Sequence, residues 1–394
     1  MRGLFLLLSL ILICSAVRGR AETEAEAAVR RVITDAELLP SPENASALAA
    51  VMRRAEAGEA ITIALIGGSI TMGTVSVGTQ DAAYPKRESY SAYFESWWRE
   101  RFPQAKFTFV NAGIGGTDSY LGVHRIQKDV LKYDPDLILI EFSVNDDGRL
   151  PMTPVSYESL VRRALEAQSR PAVMLLFMAQ TSGATAEPVH RRIGEKYRLP
   201  MVPLHTVFAR LIQGDILPAK ALSGDVVHPS ALGHAVTGAL LAKYLDLVQK
   251  TAPTGVQEMP LPQAQDKYQH PDLLSGKDGF AFDAGSFRAG SDNEFYRDGW
   301  THLAGDAPFT AEIECRTLGI LYLRTIDNLS GKCEVLVDGK AVATLDGDFP
   351  NGWGRAITAQ EILADDTVKT RHVELRVQPG EKQQWILLGF LVSK

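Results

Sequence analysis

Ile61-Thr62-Ile63-Ala64-Leu65-Ile66, followed at once by Gly67-Gly68-Ser69-Ile70-Thr71, is the stretch on which the fold turns. A short apolar, β-branched run that ends in a glycine bend reads as a buried strand. The pattern recurs at 107–111, 137–142, 172–178 and, more briefly, 201–204. Between these runs lie amphipathic stretches of helical period at 45–57, 91–100, 123–131, 157–167, 187–197 and 232–247. Strands alternating with helices predict a five-stranded parallel sheet covered on both faces, a three-layer α/β/α domain. Such sheets bind ligands beyond the carboxyl ends of their strands, so the residues after each run are where chemistry is expected.

Toward the amino terminus, Met1 and Arg2 precede an almost wholly apolar run from Leu4 to Cys14, then Arg18, Gly19, Arg20 and Ala21. That order reads as a secretory signal peptide over 1–21, too short to span a membrane, and predicts a secreted or periplasmic protein. The chain carries a formal charge of −6, which becomes −9 once Arg2, Arg18 and Arg20 leave with the leader. With no basic cluster, the acidic balance argues against nucleic acid and anionic membrane surfaces as partners.

Toward the carboxyl terminus, helical period stops after Lys250. The segment 251–275, with Pro253, Pro260, Pro262 and Pro271, reads as a linker between a catalytic domain at 22–250 and a second domain at 276–394. Short alternating runs at 320–325, 333–337, 341–345, 373–377 and 385–392, with the turn pairs Asp338-Gly339 and Asp346-Gly347, predict a small β-sandwich there. Cys315 and Cys333 leave two readings open, a disulfide or two buried apolar thiols.

Four fragments at strand ends carry chemistry. Ser69 follows the first strand on a glycine bend. Asn111-Ala112-Gly113-Ile114-Gly115-Gly116 follows the second, Asn145 and Asp146 follow the third, and Asp225-Val226-Val227-His228 precedes the last helix. Each alone is consistent with a turn or a helix cap. In this order they resemble the four signature blocks of the SGNH hydrolases, the GDSL-like superfamily, over roughly residues 58–245. The resemblance implies a flavodoxin-like sheet and a serine esterase of the carbohydrate acetylesterase-like branch with a C-terminal β-domain. In it Ser69 is the nucleophile, His228 the general base, and Asp225 the group that orients His228. The oxyanion hole is formed by the amides of Ser69 and Gly116 and the side chain of Asn145. Gly68 stands where the eponymous motif has Asp, a departure that points away from the strict lipase branch.

No cofactor is implied, and Asp146 and Asp147 lack the His or carboxylate cluster that a metal site needs. His124, His190, His205 and His234 read as structural histidines, and Trp97 and Trp98 as core. The loop from Thr74 to Ser89 is a candidate cleft wall. Trp300, Trp353, Tyr296 and Trp385 either stack on glycan or fill the sandwich core. The expected substrate is an acylated carbohydrate, most simply an O-acetyl ester. The competing readings are a lipid esterase for long acyl chains and a non-catalytic carbohydrate-binding protein.

Overall fold

The computed structural model describes residues 22–74, 88–255, 260–261 and 267–394, so the leader reading and most of the Thr74 to Ser89 loop lie outside the described residues. In chain order the first half contains α1 (Glu24–Val32), α2 (Asp35–Leu38), α3 (Pro42–Glu56), β1 (Ala60–Gly67), α4 (Ser69–Met72), α5 (Tyr90–Arg101), β2 (Lys106–Gly113) and α6 (Ser119–Asp129). It continues with β3 (Leu137–Glu141), α7 (Met152–Leu165), β4 (Ala172–Leu176), α8 (Glu187–Lys196), β5 (Met201–Val202), α9 (Leu204–Gln213), α10 (Ala219–Leu222) and α11 (Ala231–Thr251). The five strands pair in parallel in the order β2-β1-β3-β4-β5. The chain steps from β1 to one side, then crosses to β3, which opens a crevice at the carboxyl ends of β1 and β3.

Alternation along β1 divides the core. Ile61, Ile63 and Leu65 pack with α1, α3, α5, α9 and α11, whereas Ala64 and Ile66 pack with α6, α7 and α8. Both faces of the sheet are therefore dry, which is why its strands read as continuous apolar runs. The exception is Glu141, fully buried at the end of β3.

The second half consists of β6 (Asp272–Leu274), β7 (Ala281–Asp283), β8 (Phe287–Ala289), β9 (Trp300–His302), β10 (Phe309–Thr325), β11 (Lys332–Val337), β12 (Lys340–Asp346), β13 (Arg355–Val377) and β14 (Trp385–Ser393). The expected antiparallel β-domain is present, its strands forming one continuous bent sheet in the order β12-β11-β13-β10-β14-β9-β8, with β6 joined to β14 and β7 to β10. The sheet is continuous because β10 and β13 span 17 and 23 residues and run through both arms. Register shifts between Cys315 and Thr317 and between Leu318 and Gly319 interrupt their pairing, and bulges of this kind bend a sheet. Phe309, Ile313 and Val335 from one arm and Ile320, Leu387 and Phe390 from the other share a single core. Asp338-Gly339 forms the hairpin turn between β11 and β12, both residues having positive φ as a type I′ turn requires. Cys315 and Cys333 are free, buried thiols, and burial raises the Cys315 pKa to about 11.

The two halves are fused through α6. Tyr120, Leu121 and Ile126 of α6 belong to the same apolar cluster as Leu273, Leu321, Leu323, Ile386, Leu388 and Leu391 of the β half. Lys128 adds hydrogen bonds to the Leu273 carbonyl (2.5 Å) and to Asp278 (2.7 Å). Strand β6 and the buried Tyr268 fall inside 251–275, so part of the segment read as linker is packed structure.

Candidate active site

Gly68 caps the single-turn helix α4, and Ser69 is its first residue, lifted off the end of β1. Ser69 is largely buried, and its Oγ lies 2.8 Å from His228 Nε2. On the far side of the ring, His228 Nδ1 lies 2.7 Å from Asp225 Oδ2. The other carboxylate oxygen, Oδ1, accepts from the backbone N–H groups of Val227 (3.0 Å) and His228 (2.7 Å). Partial burial pulls the Asp225 pKa upward, but the bonds from the His228 ring and amide outweigh it and hold the carboxyl below its ordinary 3.8. It is thus anionic at neutral pH and fixes the ring with Nδ1–H toward itself and Nε2 toward the serine.

This four-residue turn is strained. Val226, β-branched, has φ 78°, a left-handed value that such residues rarely adopt. Its carbonyl is anchored by the Thr181 N–H at 2.9 Å, and Ser223 Oγ donates to the His228 carbonyl at 2.7 Å. The turn lets one carboxylate meet both the amide and the ring of the same histidine.

Asn145 and Gly116 face the same crevice as Ser69 and His228. A Cβ on residue 68 would stand 2.2 Å from Asn145 Oδ1, so a side chain there would require the asparagine to shift. Asn145 Oδ1 is buried without a partner, and the side chain borders the cleft. Gly116 has φ 70°, a left-handed conformation that suits glycine. Two residues on, Asp118 is half-buried, and desolvation of its carboxyl together with the nearby Asp146 charge raises its pKa to about 6. Asp146 accepts from the Ser119 N–H (2.8 Å) and faces His190 Nε2 (2.8 Å), whose ring stacks on Tyr157.

The structure therefore brings all five sequence-identified residues, Ser69, Gly116, Asn145, Asp225 and His228, to one crevice. It sends the other histidines elsewhere. His124 bonds the Tyr120 carbonyl, His205 bonds Glu187, and His234 bridges Tyr90 N–H and the Thr74 carbonyl. Trp98 is core, and Trp97 donates to Asp246 far from the cleft. Asp147 pairs with Arg149. Among the described residues no three of His, Cys, Asp and Glu converge as a metal-ligand set.

The cleft encloses about 580 Å3, and its far wall comes from the β half: Asp292, Asn293, Glu294, Phe295, Trp353 and Arg355. Trp300 and Trp385 are buried in the β core, whereas Trp353 is 74 % exposed. Its indole Cζ2 lies 3.2 Å from where a Gly116 Cβ would be. Phe349 abuts it edge-on at 4.9 Å, and the Arg324 guanidinium covers Phe349. Of the expected wall at 74–89, Thr74 borders the cleft, and residues 75–87 lie outside the described residues. The sequence does not single out the loop residues Asp292 and Glu294 or Arg355 at the start of β13, because nothing periodic ties them to a distant serine.

Residues 65–236 match the model of the GDSL-like lipase/acylhydrolase family. A two-domain esterase, CEX, active on acetylated mannans, is 30% identical, with 90% of this chain and 98% of that one aligned at a TM-score of 0.82. The same esterase co-crystallised with mannopentaose aligns at 30% identity over 91% and 96% of the two chains, with a TM-score of 0.81. The acetylxylan esterase Axe2 from Geobacillus stearothermophilus is 21% identical over 47% of this chain and 94% of its own, at a TM-score of 0.38. No curated protein matches the chain. Fold and family together make this protein a carboxylic ester hydrolase. Within that class it belongs to the GDSL-like lipase/acylhydrolase family, the SGNH hydrolases.

Proposed function

We propose that this protein is an exported serine esterase that removes O-acetyl groups from carbohydrate, with acetylated mannan the leading substrate. The observation that carries the reading is the hydrogen-bonded line from Ser69 Oγ through His228 to Asp225, opening into a cleft rimmed by polar loops. Ser69 Oγ attacks the ester carbonyl while its proton passes to His228 Nε2, and the imidazolium is held by anionic Asp225. The tetrahedral oxyanion is met by the amides of Ser69 and Gly116 and by the Asn145 side chain. Collapse expels the sugar alkoxide, which takes the proton from His228, and leaves an acetyl-serine. Water then attacks that ester with His228 as base, releasing acetate and restoring Ser69.

Two features favour a sugar over a lipid. Asp292, Asn293, Glu294 and Arg355 make the rim polar, and the exposed face of Trp353 offers a flat apolar surface for a pyranose. The similarity to an esterase active on acetylated mannans favours mannan as the polymer. Hydrolysis of 4-nitrophenyl acetate, butyrate and octanoate, followed by acetate release from acetylated mannan and acetylated xylan, tests this. The expected result is a steep fall with chain length and faster release from mannan. Rising activity toward octanoate overturns the carbohydrate reading.

A further inference from the structure

Glu141 is a buried acid at the end of an otherwise apolar strand, and among the described residues no cation neutralises it. Placing a carboxyl there costs desolvation that an apolar residue avoids, so bulk stability does not explain it. Its partners do. Oε2 accepts from Thr71 Oγ1 at 3.3 Å, and Oε1 accepts from the Ser143 N–H at 3.1 Å, with Ser143 Oγ, whose one proton also reaches the Met178 carbonyl at 3.1 Å, 3.4 Å away. Thr71 lies two residues after Ser69 in the one-turn helix α4, and Ser143 lies two residues before Asn145. The two segments leave the adjacent strands β1 and β3, which are paired only as far as Gly67 and Glu141, so past that point the Glu141 side chain is what links them.

Resting on the proposed roles of Ser69 and Asn145, we infer that Glu141 is a positioning residue whose carboxyl spans the nucleophile helix and the Asn145 turn and sets the distance between them. Each end of the tie is itself secured. Thr71 Oγ1 lies 2.7 Å from Tyr90 OH at the start of α5, and Ser143 Oγ receives the Met178 N–H at 2.7 Å. Burial lifts the Glu141 carboxyl to about 7, against the lowering by Thr71 and Ser143. A protonated carboxyl keeps an acceptor for Ser143 and a donor for Thr71, as a glutamine does. An oxyanion donor works only when aimed to within tenths of an ångström, and a shift of about 1 Å costs on the order of a hundredfold.

The test is a double-mutant cycle on 4-nitrophenyl acetate with Glu141→Ala, Glu141→Gln, Asn145→Ala and the Glu141→Ala/Asn145→Ala pair. Glu141→Ala is expected to lower kcat by about tenfold to a hundredfold with KM little changed, and Glu141→Gln to restore most of it. In the Asn145→Ala background, Glu141→Ala should cost less than about threefold, because the donor it positions is gone. The same loss in both backgrounds, or a Gln variant as slow as Ala, overturns the inference. Asn145→Ala with full kcat overturns instead the site reading on which it rests. If Glu141→Ala does not fold, Thr71→Val removes one end of the tie isosterically. It should lower kcat without loss of Tm beyond a few degrees, and an unchanged kcat overturns the tie.

Discussion

The two halves solve the problem of a buried core differently, and the difference decides where chemistry can sit. The parallel half ends each central strand in a loop at the same edge, so β1 delivers Ser69, β2 leads to Gly116 and β3 leads to Asn145, all from a rigid floor. The antiparallel half is a single bent sheet whose strand ends point both ways, and it supplies the loop at 292–295, Trp353 and the start of β13 at Arg355. One half brings Ser69, Gly116, Asn145 and His228 to one crevice, and the other shapes the space above them. The halves are nonetheless one body, because α6 shares its apolar cluster with β6, β10 and β14.

That division can be broken at several points. Ser69→Ala should reduce ester hydrolysis by about 10⁴-fold or more while leaving the fold intact, measured as kcat on 4-nitrophenyl acetate. Residual activity above that level would move the nucleophile elsewhere. Leu388→Ala, in the seam, should cost about 2–5 kcal/mol and lower a single calorimetric transition for the whole chain. Two separate transitions would show that the halves unfold independently.

Glu141 gives a pH test of the parallel half alone. Its folded-state pKa of about 7 lies above the ordinary 4.5. Its contribution is fully present below pH 4.5 and is lost as pH rises to about 7. Glu141→Gln lacks that loss, so its stability relative to the parent should rise between pH 4.5 and 7 by up to roughly 3 kcal/mol. Denaturant midpoints at pH 5 and 8 measure it, and a flat difference refutes the raised carboxyl. The smallest effect belongs to the wall. Trp353→Ala should lower kcat/KM on acetylated manno-oligosaccharides by about tenfold, yet leave 4-nitrophenyl acetate within roughly twofold. Equal losses on both substrates would make Trp353 part of the reacting centre.

The parallel half was readable because its signals are local. The runs 61–66 and 107–111 became Ala60–Gly67 and Lys106–Gly113, Ser69, Gly116 and Asn145 sit within a few positions of a strand end, and Asp225 and His228 sit just before α11. The run at 201–204 was overextended, since β5 stops at Val202 and Leu204 already opens α9. Glu141 was hidden inside 137–142, where the apolar average masks a single acid. The β half was readable as strands but not as topology, because whether β10 belongs to one arm or two depends on how far its pairing with β13 persists. Nothing within the sequence near Trp353 signals Ser69.

The contact between Trp353 and Gly116 has a bearing on how such proteins diverge. Position 116 is constrained twice, by its left-handed backbone and by an indole from the other half. Asparagine tolerates that backbone, so a lineage that shed the β half would free the position for it. In a lineage that keeps the β half, the Trp353 indole must give by a few tenths of an ångström or change in step. Residue 116 in one half is thereby coupled to residue 353, some 240 positions away in the other, and the two should drift together.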